Sequence, residues 1–508
     1  MNLATIITFV IYLIGMLLIG LWTYRKTNTI SDYFLGGRKL NSWVAAMSAQ
    51  ASDMSGWLLL GLPGAIYVTG LNGMWIAIGL AVGTYLNWQF IAKRLRRYTE
   101  TVNSITIPDY LENRFKDNTK VIRVFSALTI ILFFLFYASS GMVAGAVLFE
   151  QAFGIDYNVA LLVGSVVIVS YTFLGGFLAV SLTDFIQGIL MFCALLLVPA
   201  VLIVSLGGFS GLWGTISDIN VDLLNIMKTV GVEDGTWATN ITSFSIIGTI
   251  SLLAWGLGYF GQPHILTRFM SIRSASEIPK ARLIAVVWVV LSLIGAGFVG
   301  LVGITQFDTP LENPESIFII LVQTLFNPWV AGILLAAILA AIMSTIDSQL
   351  LVSSSAIAED FYKQILRKEA SEKELVWISR ASVIFISVIA VILAKNGGNV
   401  LELVSYAWAG FGAAFGPVII LSLYWKRMTR YGALAGILTG TFIVIFWNEI
   451  PVLNAIGLYE LVPGFVLATV AVVLVSMIDR APSAEIEAEF NQSIYPNNEQ
   501  PTEKYKSI

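Results

Sequence analysis

Ala51-Ser52-Asp53-Met54-Ser55-Gly56-Trp57 lies in the middle of residues 42–68, a stretch otherwise apolar and long enough to cross a hydrocarbon core. A lipid-exposed helix must satisfy its own backbone, so irregular backbone at membrane depth survives only inside protein or beside a cavity. A carboxylate, two serines and a glycine at the centre of a span therefore mark an interruption. A second interruption, Trp255-Gly256-Leu257-Gly258-Tyr259-Phe260-Gly261-Gln262-Pro263, falls within 241–267. Either one alone reads as a seam where small residues let helices approach closely. Together they open two blocks of five spans each, and an odd number of spans inverts the second block relative to the first. Paired breaks at corresponding places of inverted halves point to a binding site between them.

The rest of the chain supports that frame. Of its 508 residues 57 % are hydrophobic and only 12 % charged, about half the charge of a soluble protein. Thirteen spans are expected near 3–24, 42–68, 72–92, 122–150, 157–176, 184–206, 241–267, 282–306, 328–358, 377–395, 400–424, 431–449 and 457–479. The fold class is all-α integral membrane. Residues 1–480 form a single transmembrane domain, with inverted repeats at about 42–206 (spans 2–6) and 241–424 (spans 7–11). The acidic segment 481–508 reads as a mobile cytoplasmic tail. Segments 207–240 and 307–327 are expected to carry short surface helices, Ile317–Phe326 among them.

Lys228 and Lys395 fall on one side of the thirteen-span alternation, and the other 27 of the 29 basic residues fall opposite. The basic side is expected to be cytoplasmic, which puts the N-terminus outside and the C-terminus inside. Dispersed in short loops, these charges form no nucleic-acid patch. The first apolar run has no basic residues before it and no cleavage site after it, so it reads as a retained helix. The one cysteine, Cys193, cannot form an intrachain disulfide. The one histidine, His264, has no metal-binding cluster around it and reads as a local cap rather than a catalytic group. An enzyme is accordingly not expected, and no cofactor beyond an ion.

Span 9 contains Ala341-Ile342-Met343-Ser344-Thr345-Ile346-Asp347-Ser348. Ala341, Ser344, Thr345 and Ser348 share one helical face. Sodium favours oxygen ligands, and two hydroxyls plus carbonyls freed by a broken neighbour would supply them. Alone, the hydroxyls would simply bond back to their own helix. Ionisable groups in a membrane are expensive and tend to be functional. That singles out Asp53 at the break, Asp347 beside the hydroxyl face, and Asp184, which reads either as ion-linked or as the N-cap of span 6.

Ala51–Gly56, Gly175–Asp184 with Gln187, Trp255–Pro263 and Met343-Ser344-Thr345 resemble, jointly and in order, the sodium/solute symporter family. Within it the chain is similar to the sodium/proline branch. The resemblance runs from Gly37-Arg38 to about Arg427. It implies a leucine-transporter-type fold in the cell membrane, with sodium as coupling ion and L-proline as substrate. It places sodium among Ala51, Met54, Ala341, Ser344 and Thr345, with Asp53 supporting the site and Arg38 at the cytoplasmic mouth affecting coupling. It places the amino acid near Ser55, Gly56, Trp255, Tyr259 and Pro263. Physically, an aromatic wall suits a pyrrolidine ring, and free amides at a half-helix N-terminus suit a carboxylate. Pantothenate, a sugar or a short carboxylate remain as other solutes, and a proton as another coupling ion. The segment Leu35-Gly36-Gly37-Arg38 reads either as a gate hinge or as a turn.

Overall fold

The apolar runs become helices because hydrocarbon offers the backbone no outside partner, and polar residues between them set where each begins. Asn41, Asn327 and Asn399 each accept first-turn amides through their side chains, as do Ser371 and Thr429. Each such cap is worth about 1 kcal/mol. The structure is a computed structural model and describes residues 3–24, 30–174, 176–239 and 245–494. Gly175 and the start of the expected seventh span lie outside the described residues, as do Arg25 and Lys26.

Each of the thirteen expected spans has a helical counterpart. Spans 1, 4, 5 and 6 are Leu3–Tyr24, Val121–Phe153, Tyr157–Leu174 and Phe177–Ser205. Spans 8 and 10–13 are Ile278–Ile304, Glu372–Ala394, Val400–Tyr424, Arg430–Trp447 and Leu461–Ile478. Span 3 runs from Met74 through a wide turn, Asn87–Ile91, to Thr101. Span 9 is Pro328–Ser355, and it continues in wide π turns to Leu366, beyond the expected end.

Spans 2 and 7 are broken. Span 2 consists of Ser42–Asp53, a π turn over Trp57–Gly61, and Leu62–Thr69. Span 7 consists of Ile246–Leu253, a three-ten segment Ala254–Gly261, and Pro263–Ser271. The first half of span 2 packs on spans 6 and 8 and on the last helix of span 7, while the three-ten segment packs on spans 3 and 11. The two blocks therefore interlock through their broken members. Their loop helices correspond as well: Ile107–Phe115 joins spans 3 and 4 and lies on the end of span 9, whereas Ile317–Leu325 joins spans 8 and 9 and lies on the second half of span 2.

Several expectations are corrected. Span 6 begins at Phe177, after extended Gly176. Asp184 thus sits two turns inside the helix and is not its N-cap. The all-α class carries a small exception, an antiparallel hairpin of Val230–Glu233 and Thr236–Thr239. Asp234 and Gly235 both adopt positive φ between its strands, the left-handed pair that a tight hairpin requires. Within the segment expected to be a mobile tail, Ala484–Ile494 is a docked helix. Ile486 and Phe490 share one face, and Phe490 is buried beside Tyr98 and 4.9 Å from the Arg114 guanidinium. Lys116 pairs with Glu485 at 2.9 Å and Glu489 at 3.1 Å, and these carboxylates raise its pKa. The remainder of that tail, 495–508, lies outside the described residues.

Candidate functional site

The first half of span 2 ends where Met54 leaves helical space (φ −82°, ψ 78°), with Met54 N–H making the last helical bond to Gln50 O at 2.9 Å. Unwinding frees the carbonyls just before it, and they turn toward span 9. Ser344 Oγ donates to Ala51 O at 2.7 Å and approaches Ala341 O at 3.1 Å. Thr345 Oγ1 donates to Ala51 O at 3.3 Å. Two carbonyls and two hydroxyls thus converge from residues almost 300 positions apart, all of them buried. These are hard neutral oxygens, the ligand type an alkali cation prefers. Met54, the fifth residue expected here, marks the unwinding itself.

Asp53 closes this side of the break. Its Oδ2 accepts from Tyr259 OH at 2.7 Å, and its backbone carbonyl accepts from Trp57 Nε1 at 3.1 Å and Tyr137 OH at 3.2 Å. Its Oδ1 is buried with no hydrogen-bond partner among the described residues, which is costly for a carboxylate unless a charge lies close. Tyr259, expected on the amino-acid side, is therefore bonded directly to the residue expected on the ion side.

The second break is aromatic. Trp255 stacks on Tyr459 (ring centroids 5.8 Å apart, planes 25° apart) and on Trp408 (6.5 Å, 27°), and it faces Trp57 at 6.3 Å. Trp408 Nε1 donates to Trp255 O at 2.7 Å, and its ring meets Tyr259 edge-on at 5.0 Å. The tight fit explains Gly258, where a Cβ would lie 1.9 Å from Trp408 Nε1. Pro263 opens the last helix of span 7, and Gln262 before it offers no side-chain cap. First-turn amides are thereby left for another acceptor. Ser55 accepts weakly from Trp57 N–H at 3.4 Å. A Cβ at Gly56 would lie 2.7 Å from the Ala144 Cβ. Ser55 and Gly56 lie on the same break as Ala51, so the residues expected around ion and amino acid are contiguous through span 2.

One turn toward the basic face lies a buried polar cluster. Asp184 Oδ2 accepts from Ser48 Oγ at 2.6 Å and from Arg268 at 3.2 Å. Arg268 also donates to Ser48 Oγ, His264 O and Ser348 Oγ at 3.1, 3.0 and 2.5 Å. The cluster joins both broken spans to spans 6 and 9. Gln187, one turn on from Asp184, donates to Tyr12 OH at 2.8 Å. Asp347 is fully buried on span 9. His264 makes no local cap: neither ring nitrogen has a hydrogen-bond partner among the described residues, and the ring lies edge-on to Phe134 and Tyr137.

Arg38 sits apart from these groups and ties the loops together. It donates to Met270 O at 2.8 Å, Thr99 O at 3.0 Å and Ser104 O at 2.6 Å. Burial, aided by the nearby Arg96 charge, lowers its pKa to about 10, so it stays charged at neutral pH. Gly36, Gly37 and Arg38 all have positive φ, and just beyond them Leu40 bridges to Ile272. The segment is thus an ordered turn clamped onto the end of span 7.

Arg268, Trp408, Tyr459 and Tyr137 were not singled out from sequence. Arg268 carried a usable signal, a lone cation only five residues after Pro263, but it was counted with the surface charges. The aromatic residues carried none, because aromatic side chains are common in any span.

The family model described as "Sodium:solute symporter family" matches residues 33–440. The chain is 50 % identical to the sodium/proline symporter of Escherichia coli K12, covering 96 % of each. It is 52 % identical to the high-affinity proline transporter PutP of Bacillus subtilis 168, covering 94 % of this chain and 98 % of that one. The osmoregulated proline transporter OpuE of the same organism is 48 % identical, covering 95 % and 96 %. A substrate-bound, outward-open sodium-coupled sialic acid symporter superposes with a TM-score of 0.77 at 20 % identity, over 95 % of this chain and 99 % of that one. Mhp1, a nucleobase-cation-symport-1 family transporter in a closed conformation, superposes at 0.55 and 11 % identity, over 91 % of this chain and 98 % of that one. These superpositions show the fold: the leucine-transporter type with inverted five-helix repeats.

Proposed function

The chain belongs to the sodium:solute symporter family, and from that premise we propose that it is a sodium:proline symporter that takes up L-proline by alternating access. The observation that carries the reading is the meeting of Ala51 O with the Ser344 and Thr345 hydroxyls at the span 2 break. It supports a sodium site made of Ala51, Met54, Ala341, Ser344 and Thr345. The proline site is contiguous with it, formed by Ser55, Gly56, Trp255, Tyr259 and Pro263. The names of the near-full-length relatives support proline over pantothenate, a sugar or another carboxylate.

Sodium enters first and replaces hydroxyl-to-carbonyl hydrogen bonds with ion–oxygen contacts, fixing the unwound end of span 2 against span 9. Asp53 supplies the compensating charge. Its bond to Tyr259 passes that order to span 7, where the ring of proline meets the Trp255 face and its carboxylate the amides after Pro263. By linkage, proline must raise sodium affinity by the same factor that sodium raises proline affinity. Closure outside and opening inside follow, and the Arg268–Asp184 cluster and the Arg38 clamp are the contacts that inward opening must rearrange. Asp347 lends negative charge near the ion path. One positive charge moving through 100 mV supplies about 2.3 kcal/mol, before the concentration gradient is added.

The protein is a carrier and not an enzyme, it needs no cofactor beyond the coupling ion, and it resides in the cell membrane. Its basic loops face the cytoplasm, with the N-terminus outside and the C-terminus inside. The test is radiolabelled L-proline uptake into proteoliposomes under an inward sodium gradient, against an equal choline gradient. An overshoot above equilibrium only with sodium is expected. A sodium-dependent overshoot for another solute instead would overturn the substrate, and a proton-driven one would overturn the ion.

A further inference from the structure

Away from the central site, the far end of span 9 holds a second unusual carboxylate. Asp360 lies in the π-turn stretch Ala356–Leu366 and is fully buried. Its Oδ1 accepts from Thr106 Oγ1 at 2.9 Å, while its Oδ2 has no hydrogen-bond partner among the described residues. Arg123 is the neighbouring cation, and Asp360 shares it with other carboxylates. Arg123 binds Asp109 in a short contact and Glu112 at 2.6 Å, and it reaches Asp360 Oδ1 only at 3.7 Å. Lys363 pairs with Glu359, and Lys120 is turned to Gln364. Four carboxylates therefore share the Arg123 guanidinium and the ammonium groups of Lys363 and Lys120. The one left least compensated is also the one most buried, an arrangement that is costly unless a cation or water completes it.

Asp360 also lines a narrow cleft of about 10 Å³, room for a single water. The walls include Pro263 and Thr267 of span 7, Thr106 of the loop helix, and Ser355 of span 9. The cleft thus runs between the carboxylate and the residue that opens the last helix of span 7. Ser344, Ser348, Ser355 and Glu359 recur along one side of span 9 at helical spacing, and Asp360 lies about 22 Å beyond Thr345 at 1.5 Å per residue.

We propose that Asp360 and the Thr106 hydroxyl form an inner cation station, which the coupling ion occupies on its way between the span 2–span 9 site and the cytoplasm. The inference rests on the sodium-coupled reading given above. Arg123 acts as the counter-charge that holds the carboxylate when no ion is bound. The π turns widen the helix at the place where the ion leaves it, as such turns often do at functional sites.

The test uses the full-length protein in proteoliposomes of defined orientation, with sodium as the probe. Asp360→Asn keeps the shape and the bond to Thr106, and leaves Arg123 its two closer partners. In this variant, inhibition of uptake by sodium on the cytoplasmic side should weaken about tenfold, the loss of one contact to a charged group. Net uptake should slow, while proline exchange at saturating sodium on both sides and the external sodium requirement match the parent. Thr106→Val, which leaves the carboxylate in place, should show a smaller shift in the same direction. Unchanged cytoplasmic-side inhibition in both variants overturns the station. So does an equal shift in the external requirement, which would mean that Asp360 acts only through the central site or the fold. Absence of sodium dependence in the parent would instead overturn the underlying reading.

Discussion

Span 2 breaks over Asp53–Gly56 by releasing carbonyls toward hydroxyls, whereas span 7 breaks over Ala254–Gln262 by tightening into a three-ten helix wrapped in indole and phenol rings. The two breaks hold equivalent places in inverted repeats, so topology alone would make them interchangeable. Their chemistry separates them. The first presents neutral oxygens in a dry setting, where an ion recovers the hydration it gives up. The second presents flat apolar faces and a helix N-terminus, which fit a ring and a carboxylate. The Tyr259–Asp53 hydrogen bond and the Trp57–Trp255 ring contact cross from one to the other. On the proposed reading the ion sits at the first break, proline reaches both breaks through Ser55 and Gly56, and the Tyr259–Asp53 bond links the two ligands.

Substitutions break or sharpen that contrast to different degrees. The largest effect is expected from Gly258→Ala, whose new methyl would overlap the Trp408 ring. Overpacking typically costs about 1–3 kcal/mol, and here the neighbour is locked by its own bond to Trp255 O. Folded protein in the membrane, followed by thermal unfolding, should fall sharply. Gly56→Ala meets the Ala144 methyl and a flexible Ile342 and should fall less. Equal losses would show that the two breaks are packed alike.

Next comes Ser344→Ala combined with Thr345→Ala, which removes both hydroxyls from the oxygen set. The sodium concentration for half-maximal uptake should rise by about a hundredfold, roughly 1.4 kcal/mol for each lost ligand, with unfolding temperature little changed. Sodium titrations that overlay the parent would remove the ion site from this break. Trp255→Ala should raise the half-saturating proline concentration about tenfold, one stacking face being worth roughly that much, with the sodium titration unmoved. The smallest effect is expected from Tyr259→Phe, which keeps the ring and deletes the donor to Asp53. Sodium and proline titrations should both shift about three- to tenfold, the net value of a typical hydrogen bond. A shift in the proline titration alone would mean that the bond does not carry the coupling.

Much of this was legible in the sequence. Hydropathy and charge gave the spans because a membrane penalises every unpaired backbone group and every stray charge. The breaks were visible because Asp53 and the glycines of 256–261 are out of place in such a run. Asp184 was visible for the same reason, but its role was not, since the true start of span 6 at Phe177 depends on where Gly176 turns the chain. The Ala484–Ile494 helix was passed over because its apolar face rests on only a few residues, and its docking depends on Lys116 and Arg114 from distant loops.

By itself the sequence determined an all-α membrane protein with two interrupted spans and a hydroxyl-bearing face on span 9. Each of these is a property of local runs judged against a uniform apolar solvent. The tertiary structure alone decided that Tyr259 reaches Asp53 across 206 positions, that Arg268 is buried against Asp184, and that Trp408 and Tyr459 enclose Trp255. Inside a bilayer both the lipid-facing and the protein-facing sides of a span are apolar. Hydropathy therefore shows which segments cross but not which of their faces meet, and that is fixed only by how the helices pack.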